Sequence, residues 1–193
     1  MTIPILLSLT LLTLLVAGVA LVVLYNGLVR GRILVREAFS GIDVQLKRRH
    51  DLIPNLVSTV KGYAAHERGV LEEVTRLRAQ AMGDLTVADK QRDENQLTGA
   101  IKSLLVVAER YPELKASAGF LDLQRQLVSV EDDLQKARRY YNGTVRDYNT
   151  QVESIPSNLV AGLFGFERAE FFELVSLDEA AVPQADLSPG GKM

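Results

Sequence analysis

Apolar side chains recur in alternating steps of four and three residues from Val35 to Ala81. An apolar position about every 3.5 residues is typical of a long helix that packs along its whole length. Arg49 and Glu67 are the polar residues that interrupt the series. The pattern therefore predicts one long helix with its apolar positions at Val35, Phe39, Ile42, Leu46, Ile53, Leu56, Val60, Tyr63, Val70, Val74, Leu77 and Ala81.

A charge-free stretch, residues 3–29, precedes this helix, and residues 3–24 form an almost unbroken apolar run. A helix needs about 20 such residues to cross a hydrocarbon core of about 30 Å. A secretory signal would carry a basic start and a small-residue cleavage site, and neither is evident. A retained transmembrane anchor at residues 1–29 is therefore favoured over a cleaved signal.

Three arginines directly follow the span, at Arg30, Arg32 and Arg36, whereas no charged side chain precedes it. The positive-inside bias then predicts an external N-terminus and a cytoplasmic C-terminal domain. In a bacterial cell, this is a single-pass protein of the inner (plasma) membrane. The arginines are expected at the membrane surface, either contacting anionic headgroups or acting only as topology determinants.

Two further helices are predicted at about 90–110 and from Ser117 to Pro156, joined by short connections at 83–89 and 111–116. Pro54 interrupts the backbone hydrogen bonds of the first helix. The apolar spacing keeps its phase across it, which favours a kink within one helix over a new helix capped by Asp51. The phenylalanines between Phe164 and Phe172 are expected either to cap one end of the bundle or to touch lipid.

These elements predict an all-α fold, with an N-terminal transmembrane helix followed by a long-helix up-and-down bundle with coiled-coil-like seams. The bundle occupies residues 30–175, and residues 176–193 form a polar tail that we expect to be disordered.

The apolar stripe is wide at 53–77, 97–108 and 120–130, and narrow at 35–46 and 134–155. If three helices run up, down and up, the wide stripes share one core and the narrow seams lack full-length partners. Unpaired apolar seams commonly mark an interface. We therefore expect a homo-oligomer held partly by self-association residues Val35, Phe39, Ile42 and Leu46. The alternative places the third helix beside residues 35–46 in one monomer, with Pro54 as a bend.

Few residues suggest chemistry. Without cysteine there is no disulfide, thiolate nucleophile or cysteine-ligated zinc. His50 and His66 are the only histidines, and they lack the spacing of a zinc protease. The basic cluster Lys47-Arg48-Arg49 has no interleaved aromatic residues and lies on a chain of net charge −2, which argues against nucleic-acid binding. We expect a non-enzymatic protein with no catalytic, cofactor or metal site.

Several motifs together are specific. The chain closely resembles the LemA family of bacterial membrane proteins in Ile-Asp-Val-Gln-Leu-Lys-Arg-Arg-His-Asp-Leu-Ile-Pro-Asn-Leu at 42–56, Val-Lys-Gly-Tyr-Ala-Ala-His-Glu at 60–67, Tyr-Pro-Glu-Leu-Lys-Ala at 111–116, Ala-Arg-Arg-Tyr-Tyr-Asn at 137–142 and Ile-Pro-Ser-Asn at 155–158. The resemblance covers residues 20 to 173, with Phe39 standing where tryptophan is expected more often. It implies an N-terminal anchor and a cytoplasmic helical bundle, but no established activity.

Two functions are compatible with this resemblance. One member of the family is associated with magnetosome membrane formation, which suggests a membrane-anchored protein that self-associates and organises or shapes the bilayer. Other members are considered alongside a membrane metalloprotease, which suggests an adaptor or regulatory partner of a membrane protease or signalling protein. The expected partners are the lipid bilayer, further copies of the chain and an unidentified protein.

Overall fold

A computed structural model describes residues 2–83 and 86–174 of the protein. Across these residues, the chain forms six helices and no strand, which confirms the all-α prediction. The helices are α1 (Thr2–Tyr63), α2 (Arg68–Ala81), α3 (Val87–Glu109), α4 (Pro112–Lys115), α5 (Ala118–Glu153) and α6 (Ser157–Phe164). The predicted polar tail at 176–193 lies outside the described residues.

The helices are distributed over two compact units. Among the described residues, the first unit contains 2–50 and 128–173, and the second contains 51–83, 86–127 and Leu174. Both α1 and α5 contribute residues to each unit.

Helix α1 runs without interruption from the apolar N-terminal segment through Pro54 to Tyr63. The interpretation of a single helix through Pro54 is therefore confirmed, and no new helix begins at Asp51. The predicted continuation to Ala81 is wrong, because residues 64–67 separate α1 from α2. Apolar positions on both sides of this turn keep the same phase, so their spacing carries no sign of it. Gly62 and Gly69, which are poor helix formers, are the local signal.

The second unit has one apolar core built from α1, α2, α3, α4 and α5. It joins the three predicted wide stripes, as expected, with buried members from Ile53 to Leu127. Helices α2 and α3 pack antiparallel, since Gln80 Nε2 donates to Asp93 Oδ1 at 3.0 Å and Glu67 Oε1 lies 3.1 Å from Arg110 Nη2. Glu67, the second interruption of the apolar series, is thus used in an ion pair between elements.

Side-chain caps mark two helix starts. Thr86 Oγ1 accepts a hydrogen bond from the Asp89 amide at 3.2 Å, and Ser117 Oγ accepts one from the Phe120 amide at 3.1 Å. Each oxygen satisfies an amide that has no partner within its helix. The predicted start of the third helix at Ser117 is confirmed, and the connection before it contains the short helix α4.

Candidate functional site

The predicted site residues lie in the first unit, where α1 pairs with the second half of α5. Arg49 of α1 meets Glu131 of α5, Phe39 meets Tyr141, and Gly31 meets Tyr148. Each step toward the N-terminus of α1 is matched by a nearly equal step toward the C-terminus of α5, so the two helices are antiparallel. The narrow seams at 35–46 and 134–155 therefore pair with each other within one chain.

This pairing corrects the expectation that the 35–46 seam lacks an intrachain partner. Ile42 and Leu46 are fully buried, Val35 and Phe39 are partly buried, and the ring centroids of Phe39 and Tyr141 lie 5.4 Å apart. The physical reason is the turn at 64–67, which adds a chain reversal, so that α5 runs antiparallel to α1 rather than parallel to it. Ile42 and Leu46 are core residues of the monomer, and Val35 and Phe39 are partly covered, so the missing partner that suggested association through this seam is supplied within one chain. The role of the four residues in self-association stays a prediction.

Arg49, the first interruption of the apolar series, occupies a core position. Its side chain is completely buried, and its Nε lies 2.9 Å from Oε1 of Glu131, which is also largely buried. One residue earlier, Arg48 Nη1 lies 3.4 Å from Asp133 Oδ2, with both side chains exposed. The expected basic patch at 47–49 is therefore divided between a buried ion pair and the surface.

The segment after α6, residues 166–173, is held along α5; we call it the C-terminal strap. Asn149 Nδ2 donates to the Ala169 carbonyl at 2.9 Å, and its Oδ1 accepts from the Ala169 amide at 2.8 Å. Asn142 does the same with Phe172, at 3.0 and 2.9 Å. Each amide side chain thus satisfies both backbone groups of one strap residue.

The spacing of these contacts explains why two asparagines can hold an extended segment. Asn142 and Asn149 are two helical turns apart, which is about 10.5 Å at about 1.5 Å per residue. Ala169 and Phe172 are three residues apart, which is about 10 Å in an extended chain. The matched repeat lets the strap run antiparallel to α5.

Aromatic side chains of α1, α5 and the C-terminal strap pack together. The Phe39 ring lies 5.4 Å from Tyr141 and 5.9 Å from Phe172. The Tyr141 hydroxyl donates to the Glu170 carbonyl at 2.7 Å. Burial, with the Glu170 carboxylate as a smaller contribution, raises the pKa of Tyr141 to about 12, so this hydroxyl remains a donor at physiological pH.

All three predicted membrane-surface arginines are exposed, but they differ in their surroundings. The Arg32 guanidinium lies 5.0 Å from the centroid of the Phe166 ring, a cation–π contact with the strap. Arg36 lies one turn further on the same side of α1, whereas Arg30 points to the opposite side, since successive residues are about 100° apart. Their contact with lipid headgroups stays a prediction.

The phenylalanines after α5 are divided between buried and exposed positions, and their contact with lipid stays a prediction. Phe166 and Phe172 are buried, whereas Phe164 and Phe171 remain substantially exposed. Tyr25 of α1 makes edge contacts with Phe164 and Phe166, at centroid distances of 4.9 and 5.6 Å. Phe166 also belongs to a small cluster with Leu28, Val160 and Ala161.

Among the described residues, α1 alone contains a segment long and apolar enough to cross a bilayer, near its N-terminus. Side chains 4–23 are all exposed, and burial by the rest of the chain begins at Leu24. In the same described residues, no group of three or more His, Asp and Glu side chains is placed to hold a metal ion. His66 is exposed in the turn between α1 and α2, and His50 is buried in α1.

Comparison with known proteins identifies the family. The family model described as LemA family matches residues 38–186, which is most of the chain. The chain belongs to the LemA family.

Two proteins similar to this chain are a MamQ protein and a LemA protein. Magnetosome protein MamQ 2 of Paramagnetospirillum magneticum is 26% identical over 160 residues, covering 69% of this chain and 59% of its own length. Protein LemA of Metamycoplasma hominis is 23% identical over 163 residues, covering 84% of this chain and 74% of its own. The match therefore spans about three-fifths of the MamQ protein.

The LemA match begins at Ala38, within α1 and beyond the anchor. It includes Phe39, Ile42 and Leu46 of the paired seam, both asparagines and the strap. The anchor, Val35 and the three arginines precede it. The strap and its paired seam thus lie within the matched part of the chain.

The sequence did not assign a function to the asparagines. Asn142 is part of the Ala-Arg-Arg-Tyr-Tyr-Asn motif that carries the LemA resemblance, but Asn149 was not singled out. Two amides seven residues apart share one face of a helix, and this spacing is the signal that could have identified them. Their partners are backbone groups, which the identities of the strap residues do not reveal.

Proposed function

We propose that this LemA-family protein is a single-pass, non-enzymatic membrane protein that self-associates and organises or shapes the bilayer. The observation that supports it most is the uncovered apolar helix at residues 4–23, which continues without a break into the paired part of α1. Because α1 is one continuous helix there, insertion of residues 4–23 brings the first unit next to the bilayer. The relatives named as magnetosome proteins agree with a role in membrane organisation.

Because Ile42 and Leu46 are buried within one chain, we place the main contacts between copies on surfaces other than the 35–46 seam. Anchors in one membrane are parallel and meet side by side, so residues 4–23 are the surface that two copies share most readily. Helix association in lipid depends on close packing rather than on the hydrophobic effect.

Self-association is tested by sizing the purified full-length protein in mild detergent and by imaging it after reconstitution into vesicles. We expect species larger than a monomer, and vesicles whose shape differs from those with an unrelated single-pass protein at the same density. A monomer in detergent, with no crosslinks in the membrane and control-like vesicles, would contradict the proposal.

We also propose a cytoplasmic location for the bundle in the bacterial inner membrane, supported by Arg30, Arg32 and Arg36 after the span. The chain has no cysteine, so Thr2→Cys and Ser176→Cys are single reporters. An impermeant maleimide should label intact cells only at position 2, and permeabilised cells at both positions. Labelling of position 176 in intact cells would reverse the orientation.

A groove in the second unit favours the adaptor function as a second candidate. It has a volume of about 620 Å³ and combines apolar with charged side chains, from Val57, Lys61, Ala65, Arg68, Leu71, Glu72, Thr75 and Arg76. A photocrosslinking residue at Thr75 should then form an adduct with a distinct protein in cells, unlike one at exposed Glu109 on α3. Absence of a Thr75-specific adduct would count against an adaptor that uses this groove.

A further inference from the structure

Helix α6 exposes apolar side chains that nothing in the described chain covers. It carries no charged residue, and Leu159 and Leu163, one turn apart on one face, are each 71% exposed. Ile155, in the turn before α6, is 82% exposed. Large apolar side chains clustered on one short element need an apolar environment.

The opposite side of α6 packs at the end of the anchor. Val160 and Ala161 are buried with Leu28, and Leu24 and Tyr25 pack against the same cluster. The ring of Phe164, the last residue of α6, lies 4.9 Å from the ring of Tyr25. Helix α6 therefore lies directly beside the end of the exposed apolar segment of α1.

The position along α1 gives the depth. The exposed apolar residues 4–23 span about 30 Å at about 1.5 Å per residue, which matches the hydrocarbon core of a bilayer. The contacts of α6 at Leu24–Leu28 follow within about 6 Å along the helix axis. This is the level where acyl chains meet headgroups and where tyrosine is enriched.

An ion pair joins the two ends of the segment that contains α6. Arg168 Nε lies 2.9 Å from Glu153 Oε1, so the residues before and after the segment 155–164 are joined by an exposed ion pair. The charges of Glu153 and Arg168 thus lie outside α6, which itself carries none. Charged groups kept apart from an apolar face are typical of helices that lie in a membrane interface.

We propose that α6 is a second membrane contact: it lies in the bilayer interface on the side of the bundle, with Ile155, Leu159 and Leu163 among the acyl chains of that leaflet. This inference rests on the proposed insertion of the anchor. Lipid is favoured over a protein occupant because α6 packs beside the end of the anchor, at the level where acyl chains meet headgroups. An interfacial helix beside each anchor adds area to one leaflet, which provides a means of shaping the bilayer.

The chain has no tryptophan, so single-tryptophan variants report local depth. Full-length Leu159→Trp and Leu163→Trp are reconstituted into vesicles of lipid brominated on the acyl chains, and into matched vesicles of unbrominated lipid. Leu14→Trp in the anchor is the buried-in-lipid control, and Val106→Trp, at an exposed position of α3, is the aqueous control. Circular dichroism confirms that each variant remains helical.

We expect the Leu159→Trp and Leu163→Trp emission to be blue-shifted relative to Val106→Trp and to lose most of its intensity in brominated vesicles. Red-shifted, unquenched emission like that of Val106→Trp would overturn the inference. Blue-shifted emission that bromine does not quench would also overturn it, and would indicate a protein occupant. If Leu14→Trp is quenched while both α6 variants are not, the anchor stands and only the second contact fails; if Leu14→Trp is unquenched, membrane insertion itself fails.

Discussion

Gly31 of α1 lies directly against the buried ring of Tyr148 of α5: a Cβ added at Gly31 would be 2.9 Å from Cδ2 of that ring. Real Cβ atoms do not approach so closely, and the ring is only 3% exposed, so it has little room to move. The close approach of the two helices beside the end of the anchor therefore requires glycine at this position.

We predict that Gly31→Ala destabilises the first unit by about 1–3 kcal/mol, the usual cost of overpacking. Gly41→Ala is the matched control, because a Cβ at Gly41 meets nothing within 4 Å. That control should gain about 0.5–1 kcal/mol from better helix propensity. Denaturant unfolding of the full-length protein in mild detergent measures both. Equal effects of the two substitutions would contradict the close approach.

The second prediction concerns Leu46, which is 3% exposed in the paired seam. Leu46→Asp buries a carboxylate among apolar side chains and should cost several kcal/mol. Val44→Asp, at a 56% exposed position of the same helix, should change stability by less than about 0.5 kcal/mol.

Because Leu46 packs within its own chain, the loss should not depend on protein concentration, as followed by thermal melts at several dilutions. A Leu46→Asp protein that keeps its melting temperature but forms smaller assemblies would instead make the seam an interface between copies.

The third prediction compares two adjacent ion pairs. Arg49→Leu removes the fully buried partner of Glu131 and should cost about 3–5 kcal/mol. The double change Arg49→Leu with Glu131→Leu should cost clearly less, because apolar side chains can replace a buried pair. Arg48→Leu, in the exposed pair with Asp133, should cost less than about 1 kcal/mol. Similar losses for Arg48→Leu and Arg49→Leu would refute the difference in burial.

The apolar pattern was sufficient to predict the long helical stretches and the shared core of the second unit. It failed at residues 64–67 for a physical reason: Tyr63 and Val70 stay in phase across the turn, so the heptad spacing is the same with and without a reversal. That one missed turn inverted the expected direction of α5. The two seams then seemed to need another copy of the chain, although they pair with each other.

The strap was not predictable from the same pattern. Its hydrogen bonds join the side chains of Asn142 and Asn149 to the backbone groups of Phe172 and Ala169, respectively. Every residue type has a backbone carbonyl, so the sequence does not identify these partners. Arg49 and Glu67 were visible as interruptions of the apolar series. Only the structure assigns them partners, in Glu131 and Arg110.

The fourth prediction is a pH dependence from Tyr141. Its pKa is raised from 10.0 to about 12 by burial and by Glu170, so the folded protein binds this proton more tightly than the unfolded chain. The hydroxyl therefore contributes its full stability below pH 10, and loses it as the pH rises from 10 to about 12.

At neutral pH, Tyr141→Phe should cost about 1 kcal/mol through the lost hydrogen bond to the Glu170 carbonyl. The advantage of the wild type should shrink and then reverse across pH 10 to 12, because phenylalanine has no proton to lose. Parallel denaturant titrations of both proteins cancel the effects of other titrating groups. A constant difference through that range would rule out the raised pKa.

The last prediction concerns the two asparagines that hold the strap. In Asn149→Asp, one carboxylate oxygen can still accept the hydrogen bond from the Ala169 amide. The other oxygen replaces the Nδ2 donor, so an anionic oxygen faces the Ala169 carbonyl. A buried carbonyl left without its donor costs about 1–3 kcal/mol, and the same holds for Asn142→Asp at Phe172.

Hydrogen exchange of the amides at Ala169 and Phe172 should accelerate in both variants. Because the two contacts hold one continuous segment, each variant should also speed exchange at the other contact. Asn55→Asp, at an exposed position of α1, should leave strap exchange unchanged. If the strap were held mainly by Phe166 and Phe172, which are both buried, neither asparagine variant would alter its exchange.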